Sequence, residues 1–107
     1  MLPYRALSAD LFLVELALTQ DAVLLDVRTA KELSDAPPLE GAEHLDYLDD
    51  DFDVALDSMD VMRPYFIYDD GGRRALLAVQ KMARAGFLQL AYLVGGQAAL
   101  KREGLMD

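Results

Sequence analysis

The chain has 107 residues, of which 53% are hydrophobic and none is cysteine, and its formal net charge is −9 at pH 7. The length and the apolar fraction suit one domain over residues 1–107. The negative charge disfavours nucleic-acid binding, because it would repel phosphates. Without cysteine the chain has no disulfide, no thiolate nucleophile and no Cys-ligated metal. No apolar run approaches about 18 residues and no signal-peptide pattern opens the chain, so we expect a cytoplasmic protein without membrane contact.

Apolar and β-branched runs bounded by turn residues predict five short strands. Two of them, within residues 21–28 and 64–69, are almost continuously apolar, as expected of strands that are buried on both faces of a parallel sheet. The strand candidates are, in chain order, residues 4–7, 21–28, 42–47, 64–69 and 88–94.

Helical periodicity appears between these strands. Leu11, Val14 and Leu18 recur at helical spacing after Ser8, which is suited to an N-cap. The helix candidates are residues 8–18, 30–33, 49–60, 73–85 and 95–104. Strands that alternate with helices in this way predict an α/β fold, with a mainly parallel sheet of about five strands and helices on both faces.

The stretch FIYDDGGRRA, residues 66–75, ends a predicted strand in a Gly-rich turn and begins a helix. The first N–H groups of a helix have no internal partner and bind anions readily, and ligand sites form at the carboxyl ends of parallel strands. We therefore interpret this turn as an anion-binding type of loop. Its residues are Asp69, Asp70, Gly71, Gly72, Arg73 and Arg74.

The order of LLDVRTAKEL, PLEGAEHL, PYFIYDDGGRRALLAVQKMARAGF and LAYLVGGQAAL resembles the rhodanese-like domain across nearly the whole chain. The match includes the D-x-R-x-x-x-E signature and the Gly-Gly turn of that family. The matching residues are Asp26, Arg28 and Glu32 in the signature and Gly95 and Gly96 in the turn. The resemblance implies a rhodanese-like fold in which these residues have structural roles.

In active members of this family the loop begins with cysteine and closes with arginine, and Asp69 and Arg74 stand at those two positions here. Sulfur transfer needs a thiolate that attacks a sulfane donor and carries the sulfur as a persulfide, which a carboxylate cannot do. The resemblance therefore implies a domain without sulfurtransferase activity and without a cofactor, used for binding or regulation.

We interpret Asp69 as an internal anion that caps the following helix and occupies the donors of the loop, with its pKa lowered by those hydrogen bonds. The alternative is a solvent-facing Asp69 in a simple turn. Arg74 is expected to serve as a structural clasp, although it could also hold a small external anion. Asp26, Arg28 and Glu32 are expected to form a structural ion-pair or hydrogen-bond network beside the end of a strand.

Two alternatives use the acidic residues differently. An enzyme of the phosphatase or hydrolase type would use Asp69 as its nucleophile. A protein-interaction module would present an acidic face to a basic partner. A third option, the dehalogenase-type phosphatase suggested by Asp26, lacks the second aspartate because Arg28 stands there.

Metal binding is disfavoured. The acids between Asp49 and Asp60 follow an EF-hand-like spacing, but Val54 occupies the position that needs glycine, so a solvated helix start is the better interpretation. His44 is the only histidine and is expected to pack rather than to ligate a metal.

The loop pattern Y-D-x-G-x-R-R also resembles rhodanese-like domains that bacteria append to cyclic-nucleotide-binding modules. This resemblance implies an unknown protein partner or a larger regulatory protein, of which the chain is a fragment or a free-standing relative. No residue matches a cyclic-nucleotide-binding motif.

Overall fold

The computed structural model describes residues 2–107, in which five strands alternate with five helices. The strands are Arg5–Leu7 (β1), Val23–Asp26 (β2), Glu43–His44 (β3), Pro64–Tyr68 (β4) and Gln89–Leu93 (β5). The helices are Ala9–Leu18 (α1), Ala30–Asp35 (α2), Phe52–Leu56 (α3), Arg73–Arg84 (α4) and Gly96–Arg102 (α5). The predicted α/β architecture is confirmed.

All strand pairs in the sheet are parallel, and their order is β1-β5-β4-β2-β3. In the register of β2 and β4, Asp26 lies beside Tyr68 at the carboxyl ends of both strands. The turns that follow these strands are therefore neighbours, and they bring the residues after Asp26 close to the loop after Tyr68.

The sheet separates two hydrophobic cores, because side chains alternate between its faces. In β4, Tyr65 and Ile67 join the core beneath α3 and α4, together with Met82 of α4. Phe66 and Tyr68 join the other core, beneath α1 and α5. Helices therefore cover both faces of the sheet, which buries β2 and β4 as their apolar sequences predict.

Helix α1 packs with a different face from the one that its periodicity suggested. Phe12 is fully buried, whereas Leu11, Val14 and Leu18 are 49%, 53% and 78% exposed. The three residues predict the helix correctly but lie on its outer side, because α1 is apolar around most of its circumference and spacing alone does not select the packed face. No helix within residues 2–107 is long and apolar enough to span a bilayer.

Candidate functional site

The loop between β4 and α4 turns sharply at Gly72, the N-cap residue of α4. Gly72 has φ +98°, and a Cβ at this position would lie 2.8 Å from the backbone nitrogen of Gly95. Only glycine combines this left-handed conformation with such a close approach of two backbones. Asp69 and Gly72 are buried, whereas Asp70, Gly71 and Arg73 are exposed.

The Gly-Gly turn before α5 supports the backbone of this loop. The N–H of Gln97 donates to the carbonyl oxygen of Asp69 at 2.9 Å, and the N–H of Ala98 donates to that of Asp70 at 3.0 Å. A Cβ on Gly96 would lie 2.4 Å from the same Asp70 oxygen. Gly96 therefore lets the first turn of α5 approach the loop closely enough for these hydrogen bonds.

The Asp69 side chain turns inward and hydrogen-bonds to the start of α4. The residue is 1% exposed. Its Oδ1 accepts from the N–H of Gly72 at 2.6 Å, and its Oδ2 accepts from the N–H of Arg74 at 3.0 Å. The carboxylate therefore occupies two of the backbone donors that a helix start offers to an anion.

The expected lowering of the Asp69 pKa is wrong. Burial raises the pKa of this carboxyl above its ordinary value and outweighs the lowering caused by the N–H groups of Gly72 and Arg74. Desolvation disfavours the charged form of any acid. The hydrogen bonds follow from the loop pattern, whereas the burial depends on how closely α5 and the sheet surround the loop.

Arg74 closes the loop by pairing with Glu32 of α2. Its Nη2 donates to Glu32 Oε2 at 2.7 Å, its Nη1 donates to Oε1, and its Nε lies 3.6 Å from Asp69 Oδ2. This is the bidentate geometry that suits a guanidinium and a carboxylate. The guanidinium is thus engaged by two carboxylates of the protein itself.

Glu32 also helps to cap the start of its own helix, α2. Its Oε1 accepts from the backbone N–H of Thr29 at 2.9 Å, while Thr29 Oγ1 accepts from the N–H of Glu32 at 3.2 Å, which forms a capping box. The hydrogen bond from Arg74, followed by those from Thr29, lowers the pKa of Glu32 to about 2 despite partial burial. Thr29 was not among the candidate residues of the sequence, although the T-x-x-E spacing is the signal of this box.

The predicted network of Asp26, Arg28 and Glu32 does not form as one unit: Asp26 pairs with Arg28, whereas Glu32 pairs with Arg74. Arg28 is 2% exposed, and its Nε lies 3.1 Å and 3.0 Å from the two carboxylate oxygens of Asp26. The hydroxyl of Tyr68 donates to Asp26 Oδ2 at 2.8 Å and accepts from the N–H of Leu39 at 2.9 Å. Glu32 pairs with Arg74 instead, because the capping box holds it at the start of α2.

The cluster of Asp26, Arg28 and Tyr68, the second cluster of the site, is more deeply buried than the loop. Burial is the main cause that raises the pKa of Tyr68, and the neighbouring Asp26 carboxylate raises it further. Nη2 of Arg28 lies 2.9 Å from Asp26 Oδ2 but is misaligned for a hydrogen bond to it. The cluster therefore has a structural role, because it joins β2, β4 and the segment before β3.

His44 is exposed on the edge strand β3, rather than packed as expected. Its Nε2 is 2.6 Å from the carbonyl oxygen of Arg28, so this ring nitrogen carries the proton and donates. In the part of the chain from residue 2 onward, no three His, Asp or Glu side chains are grouped so as to hold a metal ion.

The sequence matches the profile of the family described as "Rhodanese-like domain" over residues 12–103. The rhodanese-like domain of Alr3790 from Anabaena sp. is 28% identical, with a TM-score of 0.76 over 97% of this chain and 76% of that one. A rhodanese-related protein from Thermoplasma volcanium has the same fold at 19% identity, with a TM-score of 0.77 over 94% of each chain.

A larger enzyme contains a similar unit. The structure of an NAD-dependent persulfide reductase from A. fulgidus matches 91% of this chain but only 16% of its own, at 23% identity and a TM-score of 0.66. No curated protein sequence matches this chain significantly.

Proposed function

The chain belongs to the rhodanese-like domain family, and from that premise we propose that it is a non-catalytic member with a binding or regulatory role. Asp69 takes the position at which active members carry their nucleophilic cysteine. The full sequence has no cysteine at all, so no thiolate elsewhere can replace it. Without a thiolate there is no persulfide and no sulfur transfer.

One observation supports this proposal above the others: the side chains of Asp69 and Arg74, the first and last residues of the loop, are paired with groups of the same protein. The Asp69 carboxylate accepts from the N–H groups of Gly72 and Arg74, and the Arg74 guanidinium is held by Glu32. An external anion would have to compete with a carboxylate that is covalently fixed at the site. The arrangement thus favours a structural loop over a site for a small anion.

The same observation counts against a hydrolase that uses Asp69 as its nucleophile. Such an enzyme would need an exposed carboxylate oxygen in line with the substrate and an arginine free to hold the leaving anion. Asp69 is 1% exposed and Arg74 is paired with Glu32.

The larger context of the domain is also part of the proposal. The A. fulgidus enzyme, in which the matching unit is 16% of the chain, supports the use of this fold as one module of a larger protein. The Y-D-x-G-x-R-R loop supports a regulatory protein of the bacterial type that carries a cyclic-nucleotide-binding module. On this proposal the domain acts in the cytoplasm through a protein partner.

The decisive experiment measures both reactions on purified protein. With thiosulfate and cyanide, we expect no saturable formation of thiocyanate. With p-nitrophenyl phosphate, with and without Mg²⁺, we expect no hydrolysis above that of an Asp69→Asn variant prepared identically. A saturable rate in either assay that the variant loses would overturn the proposal.

A further inference from the structure

A cavity of about 410 Å³ opens at the amino ends of three adjacent strands. Arg5, Pro64 and Gln89, which are the first residues of β1, β4 and β5, line it. The strand order β1-β5-β4 places these residues side by side at one end of the sheet. Asp69 follows the opposite, carboxyl end of β4, so the cavity is separate from the loop that begins at Asp69.

The cavity lies over a row of side chains whose central member is small. In the register of the sheet, Ala91 of β5 stands between Arg5 of β1 and Phe66 of β4. The methyl group of Ala91 therefore leaves space between two much larger neighbours. Helix α1 covers this face of the sheet but ends at Leu18, and Thr19, the next residue, forms part of the cavity wall.

The lining is mainly apolar and includes three aromatic residues, Tyr4, Tyr65 and Phe66. Phe66 is 2% exposed and Leu90 is 5% exposed, so these two belong to the inner wall, whereas Leu88 is 62% exposed at the mouth. An apolar cavity of this size with a few polar groups is typical of a site for a small molecule. Aromatic walls favour a ligand with a planar ring, because rings pack well edge to face or offset.

The charged groups at the cavity are already paired with each other. Among residues 2–107, Arg5 is the only charged one in the lining, and its Nη2 lies 2.6 Å from Oε1 of Glu15. Arg63, which precedes Pro64, pairs with Asp21 at 3.2 Å. Neither an anionic nor a cationic ligand would therefore find a free counter-charge in the lining.

Gln89 and Thr19 supply uncharged polar groups. Nε2 of Gln89 donates to the carbonyl oxygen of Met62 at 3.0 Å, and its Oε1 accepts no hydrogen bond from residues 2–107. Oγ1 of Thr19 donates to the carbonyl oxygen of Glu15 at 2.6 Å, which leaves its lone pairs able to accept. The acceptors that remain suit a ligand with one N–H or O–H donor.

We propose that this cavity binds a small uncharged molecule that combines an aromatic ring with one hydrogen-bond donor. The ring packs against Phe66 and Leu90, and the donor is directed to Oε1 of Gln89. A carboxylate on the ligand would have to displace Glu15 from Arg5. The site lies at the other end of the sheet from Asp69, so it goes beyond the function proposed for the loop.

The test titrates ¹⁵N-labelled protein with indole, an uncharged ring with one N–H donor, and follows the backbone amides by NMR. We expect saturable shifts at Arg5, Phe66 and residues 89–91, and none at residues 70–73. Ala91→Ile fills the space and should weaken binding about tenfold. Ala98→Ile, the same change at an exposed residue of α5, is the matched control and should bind as the wild type does.

Charge provides a second measurement. Indole-3-acetate and tryptamine carry a negative and a positive charge, and each should bind about tenfold more weakly than indole. Absence of saturable shifts in the wild type, shifts confined to residues 70–73, or equal binding of either charged compound would overturn the proposal. Equal indole affinities of A91I and A98I would overturn it as well.

Folding of each variant is checked by circular dichroism. If A91I does not fold, Gln89→Leu replaces it, because Gln89 is exposed and its loss removes only the acceptor. Unchanged indole affinity in Q89L would then contradict the proposed site. The sulfur-transfer and phosphate assays report on the loop at the other end of the sheet, so failure of the cavity proposal and failure of the proposed function are distinguishable.

Discussion

Arg74 donates hydrogen bonds from Nη1 and Nη2 to the two carboxylate oxygens of Glu32, a residue 42 positions earlier in the chain. Glu32 closes the capping box at the start of α2, and Arg74 lies in the first turn of α4. The ion pair therefore joins the starts of the two helices that follow the neighbouring strands β2 and β4. It also holds the Arg74 guanidinium next to the buried Asp69 carboxylate.

Replacing Asp69 with alanine should lower the free energy of unfolding by about 1 kcal/mol, the usual scale for a lost helix cap. The reason is that the N–H groups of Gly72 and Arg74 lose their acceptor. Urea unfolding at neutral pH measures the change. Asp70→Ala, at the exposed neighbouring residue, is the matched control, and equal stability of wild type and D69A would contradict the capping role.

Acid should weaken the fold through Glu32. Its pKa is about 2 in the folded protein against an ordinary 4.5, so the unfolded chain binds the proton more tightly. The stability from the Arg74 pair is therefore complete above about pH 4.5 and is lost as the pH falls towards 2.

Unfolding measured across that range should show a weaker pH dependence for Glu32→Gln than for the wild type. Glu103→Gln, at an exposed carboxyl, controls for the change in net charge. Identical pH profiles for E32Q and the wild type would show that the pair does not stabilise the fold.

Gly96→Ala should be strongly destabilising, by more than the cost of about 1–2 kcal/mol for a left-handed residue with a Cβ. Its φ is +62°, and the new Cβ would lie 2.4 Å from the carbonyl oxygen of Asp70. Gly41→Ala separates the two effects, because Gly41 has φ +82° but no atom within 4 Å of the new Cβ. Similar melting temperatures for G96A and G41A would mean that the close approach of α5 to the loop is unimportant.

Asp26→Ala should cost about 3–5 kcal/mol, because it leaves the buried guanidinium of Arg28 without its counter-charge. Tyr68→Phe removes only the hydroxyl that Asp26 and Leu39 share, so it should cost about 1 kcal/mol. Chemical denaturation of both variants measures the difference. If D26A were no less stable than Y68F, the Asp26–Arg28 pair would not be a main support of the strand ends.

The sequence by itself determined the order of strands and helices. Short apolar runs and helical spacing report the local preference of each segment for strand or helix. The Gly-rich turn after the apolar run that ends at Tyr68 marked the candidate loop. The D-x-R-x-x-x-E and Gly-Gly matches identified the family, because they are patterns of residue type along the chain.

Only the tertiary structure decided which groups meet. It paired Glu32 with Arg74 rather than with Arg28, and it raised the pKa of Asp69 where hydrogen bonding alone predicted a lower value. It also placed Leu11, Val14 and Leu18 on the exposed side of α1. These outcomes depend on desolvation and on contacts between distant segments, which arise only when the sheet assembles and which no local pattern encodes.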